Sequence, residues 1–195
     1  MQISDFFYSI QGEGANVGLA MQFLRFTGCD LACAFCDEER HRIPRFEWQI
    51  PEVLAQLGRF SAKRVCLTGG EPSLEDRNPL IDALHQAGYW VSVETNGYEP
   101  GHIDHADWLT YSPKDLNQVK LGNWFHEIKL LVRQDTSLER LRDLGTQIRQ
   151  PCFLQPVTEA SPSQTQANVF RARDLILAEP GFRLSLQTQT WIHIP

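Results

Sequence analysis

Three cysteines of the 195-residue chain crowd into one short stretch, at Cys29, Cys33 and Cys36. Three thiolates on one loop are soft ligands, suited to zinc or to an iron–sulfur cluster. A structural zinc site takes four ligands, and His41 lies near enough in sequence to complete one. Cuboidal clusters normally take four cysteines, but Cys66 and Cys152 stand alone and no second pair exists. A three-cysteine cluster leaves one iron without a protein ligand, and an open metal position is what a bound small molecule needs. The spacing favours iron–sulfur and leaves zinc open.

The elements that must position this loop alternate along the chain. Gln22–Thr27 reads as a strand that ends at Gly28, where the cysteine loop begins. Further strands are expected at Arg64–Thr68, Tyr89–Val93, Trp108–Tyr111, Glu127–Val132, Cys152–Leu154 and Arg183–Leu186. Helices are expected at Pro51–Arg59, Asn78–Gln86, Ser137–Leu144 closed by Gly145, and Ser163–Ala178 with Ser163 as its cap. Strands alternating with helices imply parallel βαβ units, hence an α/β class. About six parallel strands are too few for a closed eight-stranded barrel, and 195 residues are short for one. The expectation is a single domain over 1–195. Polar groups sit at successive strand ends, where parallel α/β proteins build sites: Thr68 with Gly69 and Gly70, Glu94 to Gly97, Ser112 to Lys114, and Gln155 to Thr158.

Composition narrows the class. Lys plus Arg total 18 against 24 Asp plus Glu, a formal charge of −6, which argues against a general nucleic-acid or anionic-membrane binder. The N-terminus lacks a secretory pattern and no run is long and apolar enough for a membrane span, so a cytoplasmic protein with reduced thiols is expected. Cys66 and Cys152, on expected strands, read as buried apolar filler.

The cysteine spacing, with Phe35 before Cys36 and the segment Thr68-Gly69-Gly70-Glu71-Pro72 after the next strand, resembles the radical S-adenosylmethionine superfamily. That resemblance implies a [4Fe-4S] cluster on Cys29, Cys33 and Cys36, with S-adenosylmethionine chelated at the open iron and cleaved to a 5′-deoxyadenosyl radical. It implies cofactor contacts from Phe35, Cys36, Asp37, Gly70, Glu71, Glu94, Asn96, Ser112, Pro113, Lys114, Gln155, Pro156, Val157 and Thr158, with Glu71 near the methionine ammonium.

Tyr8-Ser9-Ile10-Gln11-Gly12-Glu13-Gly14, together with Phe23-Leu24-Arg25-Phe26-Thr27-Gly28-Cys29, is similar to the 7-carboxy-7-deazaguanine synthase family over the whole chain. That family has an incomplete α/β barrel, is usually dimeric, and turns 6-carboxy-5,6,7,8-tetrahydropterin into 7-carboxy-7-deazaguanine with loss of ammonia. The resemblance implies substrate contacts from Ile10, Gln11, Gly12, Glu13, Arg25, Thr68 and the terminal carboxylate of Pro195. Gln11 and Glu13 suit the donor–acceptor edge of a pterin, and Arg25 suits its carboxylate. An electron donor such as flavodoxin or ferredoxin is implied, and Mg²⁺ as well.

The sequence departs from the family pattern at two places. Glu38 follows Cys36-Asp37 where the family usually has Thr or Ser as a Mg²⁺ ligand; a carboxylate is still a hard oxygen ligand. Gln189 stands where the family often has histidine, and an amide cannot act as an acid near neutral pH. A glycyl-radical-enzyme activase acting on a protein partner and a zinc-stabilised binding module are the alternatives. The Gln11–Gly14 segment and the lack of extra cysteines for additional clusters speak against the activase.

Overall fold

The computed structural model describes residues 1–38 and 42–194. Nine strands form one sheet: β1 (Gln2–Ile10), β2 (Ala20–Phe26), β3 (Phe46–Glu47), β4 (Arg64–Gly69), β5 (Trp90–Thr95), β6 (Trp108–Tyr111), β7 (Glu127–Val132), β8 (Cys152–Pro156) and β9 (Arg183–Leu184). Their order is β3-β1-β2-β4-β5-β6-β7-β8-β9, with no pairing among the described residues that joins the two ends, as in an incomplete barrel. From β2 to β9 every neighbour is parallel, while β1 runs antiparallel to both β2 and β3. The parallel run matches the α/β expectation: six strands of four residues or more, then the two-residue β9.

The helices are α1 (Ile50–Leu57), α2 (Asn78–Gln86), α3 (Leu138–Gln147), α4 (Pro162–Ala178) and α5 (Thr188–Trp191). Each longer helix follows from local sequence. Gln49 and Glu52 form a reciprocal cap on α1, and Val53 and Leu57, one turn apart, are its buried stripe. Leu80, Ile81 and Leu84 make the same stripe on α2. Ser137 caps α3 by accepting from Arg140 N at 3.3 Å.

Several boundaries differ from the sequence reading. Gly145 does not close α3. The helix runs through it because the missing Cβ leaves room for the Phe182 ring, whose Cζ would lie 3.2 Å from a side chain there. Helix α4 begins at Pro162 after Ser161, so Ser163 lies in its first turn and is not the cap. The nine-residue β1 was not expected as a strand. Aromatic residues on both its faces hide the alternation: Phe6 meets Trp48 edge-on at 5.7 Å, and Phe7 stacks on Phe23 at 4.9 Å.

The parallel strands carry two unlike faces. Val65, Leu67, Val91, Val93, Leu109, Ile128, Leu130, Val132 and Leu154 point to the helices and form the main core. Alternate residues on the same strands point the other way. By register Arg25 stands beside Thr68, Glu94 beside Thr110, and Thr110 beside Glu127. Lys129 and Gln155 continue this polar face on β7 and β8. Among the described residues, no helix is long and apolar enough to cross a membrane.

Candidate functional site

At the bottom of the polar face lies Lys129, 4% exposed in the middle of β7. Its ammonium meets Glu13 Oε2 at 2.6 Å and Glu94 Oε2 at 2.7 Å. Glu13 comes from the turn after β1, and that turn is clamped on the face at three points. Ala15 N donates to Glu127 Oε2 at 2.8 Å, Gly14 N donates to Ser185 Oγ at 3.0 Å, and Lys129 holds Glu13 itself. Gly14 has φ +64°, and a Cβ there would overlap the Glu127 carboxylate, so glycine is required twice over.

Glu13 also accepts from Gln155 Nε2 at 2.9 Å, Gln189 Nε2 at 3.1 Å and Gln187 Nε2 at 3.2 Å. Burial works against its charge, but Lys129 and these amides hold the carboxyl down to about 2. Glu94 goes the other way: burial pushes its carboxyl above the usual range, with Lys129 opposing and Glu13 adding to the rise. Lys129 is held firmly charged, since the two carboxylates outweigh the burial that would lower it. Gln11, 6% exposed, donates to Glu94 Oε1 at 3.3 Å and accepts from Glu13 N at 3.2 Å. Gln11, Glu13 and Glu94 are therefore one connected group.

Arg25 faces the same space from β2, its Nε 3.4 Å from Glu38 Oε2 and its guanidinium 5.5 Å from the centre of the Phe7 ring. Glu38 is 7% exposed and so does not face solvent. Thr68 lies beside Arg25 on β4, while Ile10 at the end of β1 is exposed.

The cysteine loop crosses above this group. Glu71 N donates to Gly28 O at 2.8 Å, Asn96 Nδ2 donates to Asp30 Oδ1 at 2.8 Å, and Gln187 Nε2 donates to Asp37 Oδ2 at 2.6 Å. The Arg133 guanidinium lies 4.8 Å from the centre of the Phe35 ring. Lys114, bonded to Ser112 Oγ at 3.0 Å, acts electrostatically on Cys33. Pro113 is buried between them. All three loop cysteines are free and partly exposed. Burial pushes the Cys29 thiol up to about 11 and raises Cys33 too, so a bound metal would have to displace their protons. Three soft thiols free of any disulfide on one loop, with a lysine charge beside Cys33, fit an anionic iron–sulfur cluster held from one side. Among the described residues, no three His, Cys, Asp or Glu side chains are drawn together around a common point.

Some expected contacts have other partners. Both Glu71 oxygens are engaged within the fold: Oε1 accepts from Ser73 N, Ser73 Oγ and Thr95 Oγ1, and Oε2 accepts from Asn96 N. At 1% exposure its carboxylate braces the turn, with Oε2 carrying the single donor Asn96 N. Gln155, expected on the cofactor's adenine side, spends its amide on Glu13 and Ser185. Of its neighbours, Pro156 ends β8, Val157 pairs with Val132 O at 3.0 Å, and Thr158 Oγ1 donates to Gln187 Oε1 at 2.7 Å. Cys66 and Cys152 are buried, as expected. His41 and Pro195 lie outside the described residues. Sequence reasoning missed Lys129, Glu127 and Ser185. The available signal was the strand Glu127-Ile-Lys-Leu-Leu-Val, where two charges alternate with apolar residues on an element that is buried almost throughout.

Residues 23–122, from β2 past β6, match the model of the radical SAM superfamily. A 7-carboxy-7-deazaguanine synthase from Bacteroides thetaiotaomicron is 40% identical to the chain, over 99% of this chain and 98% of that protein. The chain belongs to the 7-carboxy-7-deazaguanine synthase family. Another 7-carboxy-7-deazaguanine synthase, from Burkholderia multivorans, is 34% identical over 99% of this chain and 98% of its own length. The crystal structure of QueE from Escherichia coli superimposes with a TM-score of 0.70 at 26% identity, covering 95% of this chain and 92% of that one. As a 7-carboxy-7-deazaguanine synthase family member within the radical SAM superfamily, the chain is a radical S-adenosylmethionine lyase that uses a [4Fe-4S] cluster and S-adenosylmethionine. That decides between iron–sulfur and zinc on the cysteine loop.

Proposed function

We propose that the chain converts 6-carboxy-5,6,7,8-tetrahydropterin to 7-carboxy-7-deazaguanine with loss of ammonia, supplying queuosine-type deazapurines. The observation that carries this function is Glu13, a partly buried carboxylate kept ionised beside Lys129. An acceptor-only group in a low-dielectric site suits the amino and ring N–H edge of a pterin. The pterin contains every atom of the product plus ammonia, so the conversion needs no net oxidant or reductant.

Cys29, Cys33 and Cys36 would hold the cluster, which with S-adenosylmethionine would supply radical hydrogen-abstraction chemistry toward C6 of the pterin. The protein's own part is to bind, orient and exclude water. Gln11 and Glu13 read the ring edge, Arg25 grips the carboxylate, and Ile10, Gly12 and Thr68 complete the substrate side. Phe35, Asp37, Gly70, Asn96, Ser112, Pro113 and Lys114 serve the cofactor side, with the backbone of Glu71 and the segment 155–158. Glu94, tied to both Gln11 and Lys129, serves the cofactor side as well. Glu38, a hard oxygen ligand whose Oε2 lies 3.4 Å from Arg25 Nε, is the residue that would hold Mg²⁺. A flavodoxin or ferredoxin reductant, a homodimer and a cytoplasmic setting belong to the same proposal.

Anaerobic reconstitution, followed by assay with the carboxylated tetrahydropterin, tests it. The expected result is an ultraviolet-absorbing deazapurine that is lost in Cys33→Ala. An intact cluster that yields no deazapurine overturns the proposal.

A further inference from the structure

An ionised carboxylate offers about four lone-pair sites. On Glu13 Oε2 the donors are Lys129 and Gln155, and on Oε1 they are Gln187 and Gln189. Glu13 is therefore saturated, and a ligand that reads it has to displace a donor.

The two oxygens are held by unlike parts of the molecule. Lys129 and Gln155 lie within β7 and β8 at 4% and 7% exposure, so their side chains cannot leave without opening the sheet. Gln187 and Gln189 belong to a half-exposed segment after β9, where α5 is only four residues long. That segment is pinned near Glu13 by Thr188, whose N and Oγ1 donate to Gly12 O at 3.2 and 2.9 Å.

Gln189 is also poorly satisfied where it stands. Its Oε1 is buried with no hydrogen-bond partner among the described residues. It presses on Gly12, where a Cβ would overlap it. A buried acceptor left unpaired is unfavourable, so withdrawing this amide relieves a penalty. Gln187 has somewhere to go, because its Nε2 already donates to Asp37 and its Oε1 already accepts from Thr158.

We propose that Gln187 and Gln189 are specificity-determining residues: their amides stand in for ligand N–H groups on Glu13 Oε1 and yield to a ligand that brings two such donors of its own. This rests on Glu13 being the group that reads the pterin edge. The ligand class selected is a cyclic guanidine-type edge, an amino group beside a ring N–H. A ring with a carbonyl in place of the amino group brings one donor fewer and turns an acceptor toward the carboxylate.

The test is calorimetric titration of the anaerobically reconstituted protein with two unreactive ligands. 6-Carboxypterin has the amino group, and 6-carboxylumazine has a carbonyl there. The Gln187→Met/Gln189→Met double variant keeps side-chain length but removes the competing donors. It is expected to bind 6-carboxypterin about five- to tenfold more tightly than the unsubstituted protein, because a state that had to be vacated is gone. Affinity for 6-carboxylumazine should stay within twofold, and KM for the reactive pterin should fall more than kcat changes. Should the double variant fail to fold, Gln189→Met alone carries the same comparison with a smaller gain. Equal or weaker binding of 6-carboxypterin, or an equal gain for both ligands, overturns the proposal. If the unsubstituted protein binds no 6-carboxypterin, the pterin function itself is overturned, and this proposal with it. Binding without a gain in the variant overturns the exchange alone.

Discussion

The two faces of the parallel sheet differ in what holds them. Toward the helices, β4, β5 and β7 present Val65, Leu67, Val91, Val93, Ile128, Leu130 and Val132, all fully buried, with dispersion and water exclusion as the cohesive forces. Toward the concave side β5 and β7 present Glu94, Glu127 and Lys129, held by short charge-assisted bonds. Parallel sheets are usually covered by apolar material on both faces. Here one face carries the fold and the other is given over to a site. The convex face tolerates changes of shape that the fold can absorb, whereas on the concave face each group is a partner that another group needs.

Lys129→Met is the strongest way to break this division. It leaves Glu13 and Glu94 buried without their common cation, and removal of one partner from a buried ion pair typically costs about 3–5 kcal/mol. Loss of stability by urea titration should come with a fall in kcat/KM of roughly a hundredfold or more from misplacement of Glu13. A variant as stable as the parent would show that the cation is not needed.

Leu67→Ala probes the other face. It should cost about 2–5 kcal/mol through lost contacts and a cavity, while product formed per folded molecule stays within twofold. A matching collapse of activity would mean that the faces are not separable.

The pH dependence separates the two faces again. Glu13 titrates in the folded chain at about 2, below its ordinary value of 4.5. Its stabilising contribution is therefore full above 4.5 and fades as pH falls through that window. Lys129 is raised above 10.5, so its contribution is complete below that pH and fades only in strong alkali. Glu13→Gln should flatten the acid limb of the stability profile, and Leu67→Ala should leave its shape unchanged. An acid limb that persists in Glu13→Gln would place the sensitivity elsewhere.

Ser137→Ala should show the smallest effect. Loss of a helix cap costs about 1 kcal/mol, read as a lower urea midpoint with kcat unchanged.

Much of this division was legible in the sequence, because alternation and motif spacing are local. Trp90-Val-Ser-Val-Glu-Thr already alternates, and the cysteine loop, the Gln11–Gly14 turn and Arg25 announce themselves by type and spacing. What could not be read was which polar group meets which. Lys129 is 116 residues from Glu13 and Gln155 is 142, and no local pattern links them. The Glu71 motif likewise does not announce that Thr95, 24 residues further on, donates to its Oε1. Gly145 reads as a stop signal until Phe182 is packed against it.

The distances along the chain on Glu13 have a consequence for synthesis. Its donors follow it by 116, 142, 174 and 176 residues, so the carboxylate leaves the ribosome long before any of them. At about 5–20 residues per second, several seconds pass before Lys129 is made, and more before Gln187 and Gln189. The acidic turn after β1 thus waits through most of translation for its donors. A chain released before residue 187 should have its sheet but only half the donors on Glu13, so the site is finished later than the fold.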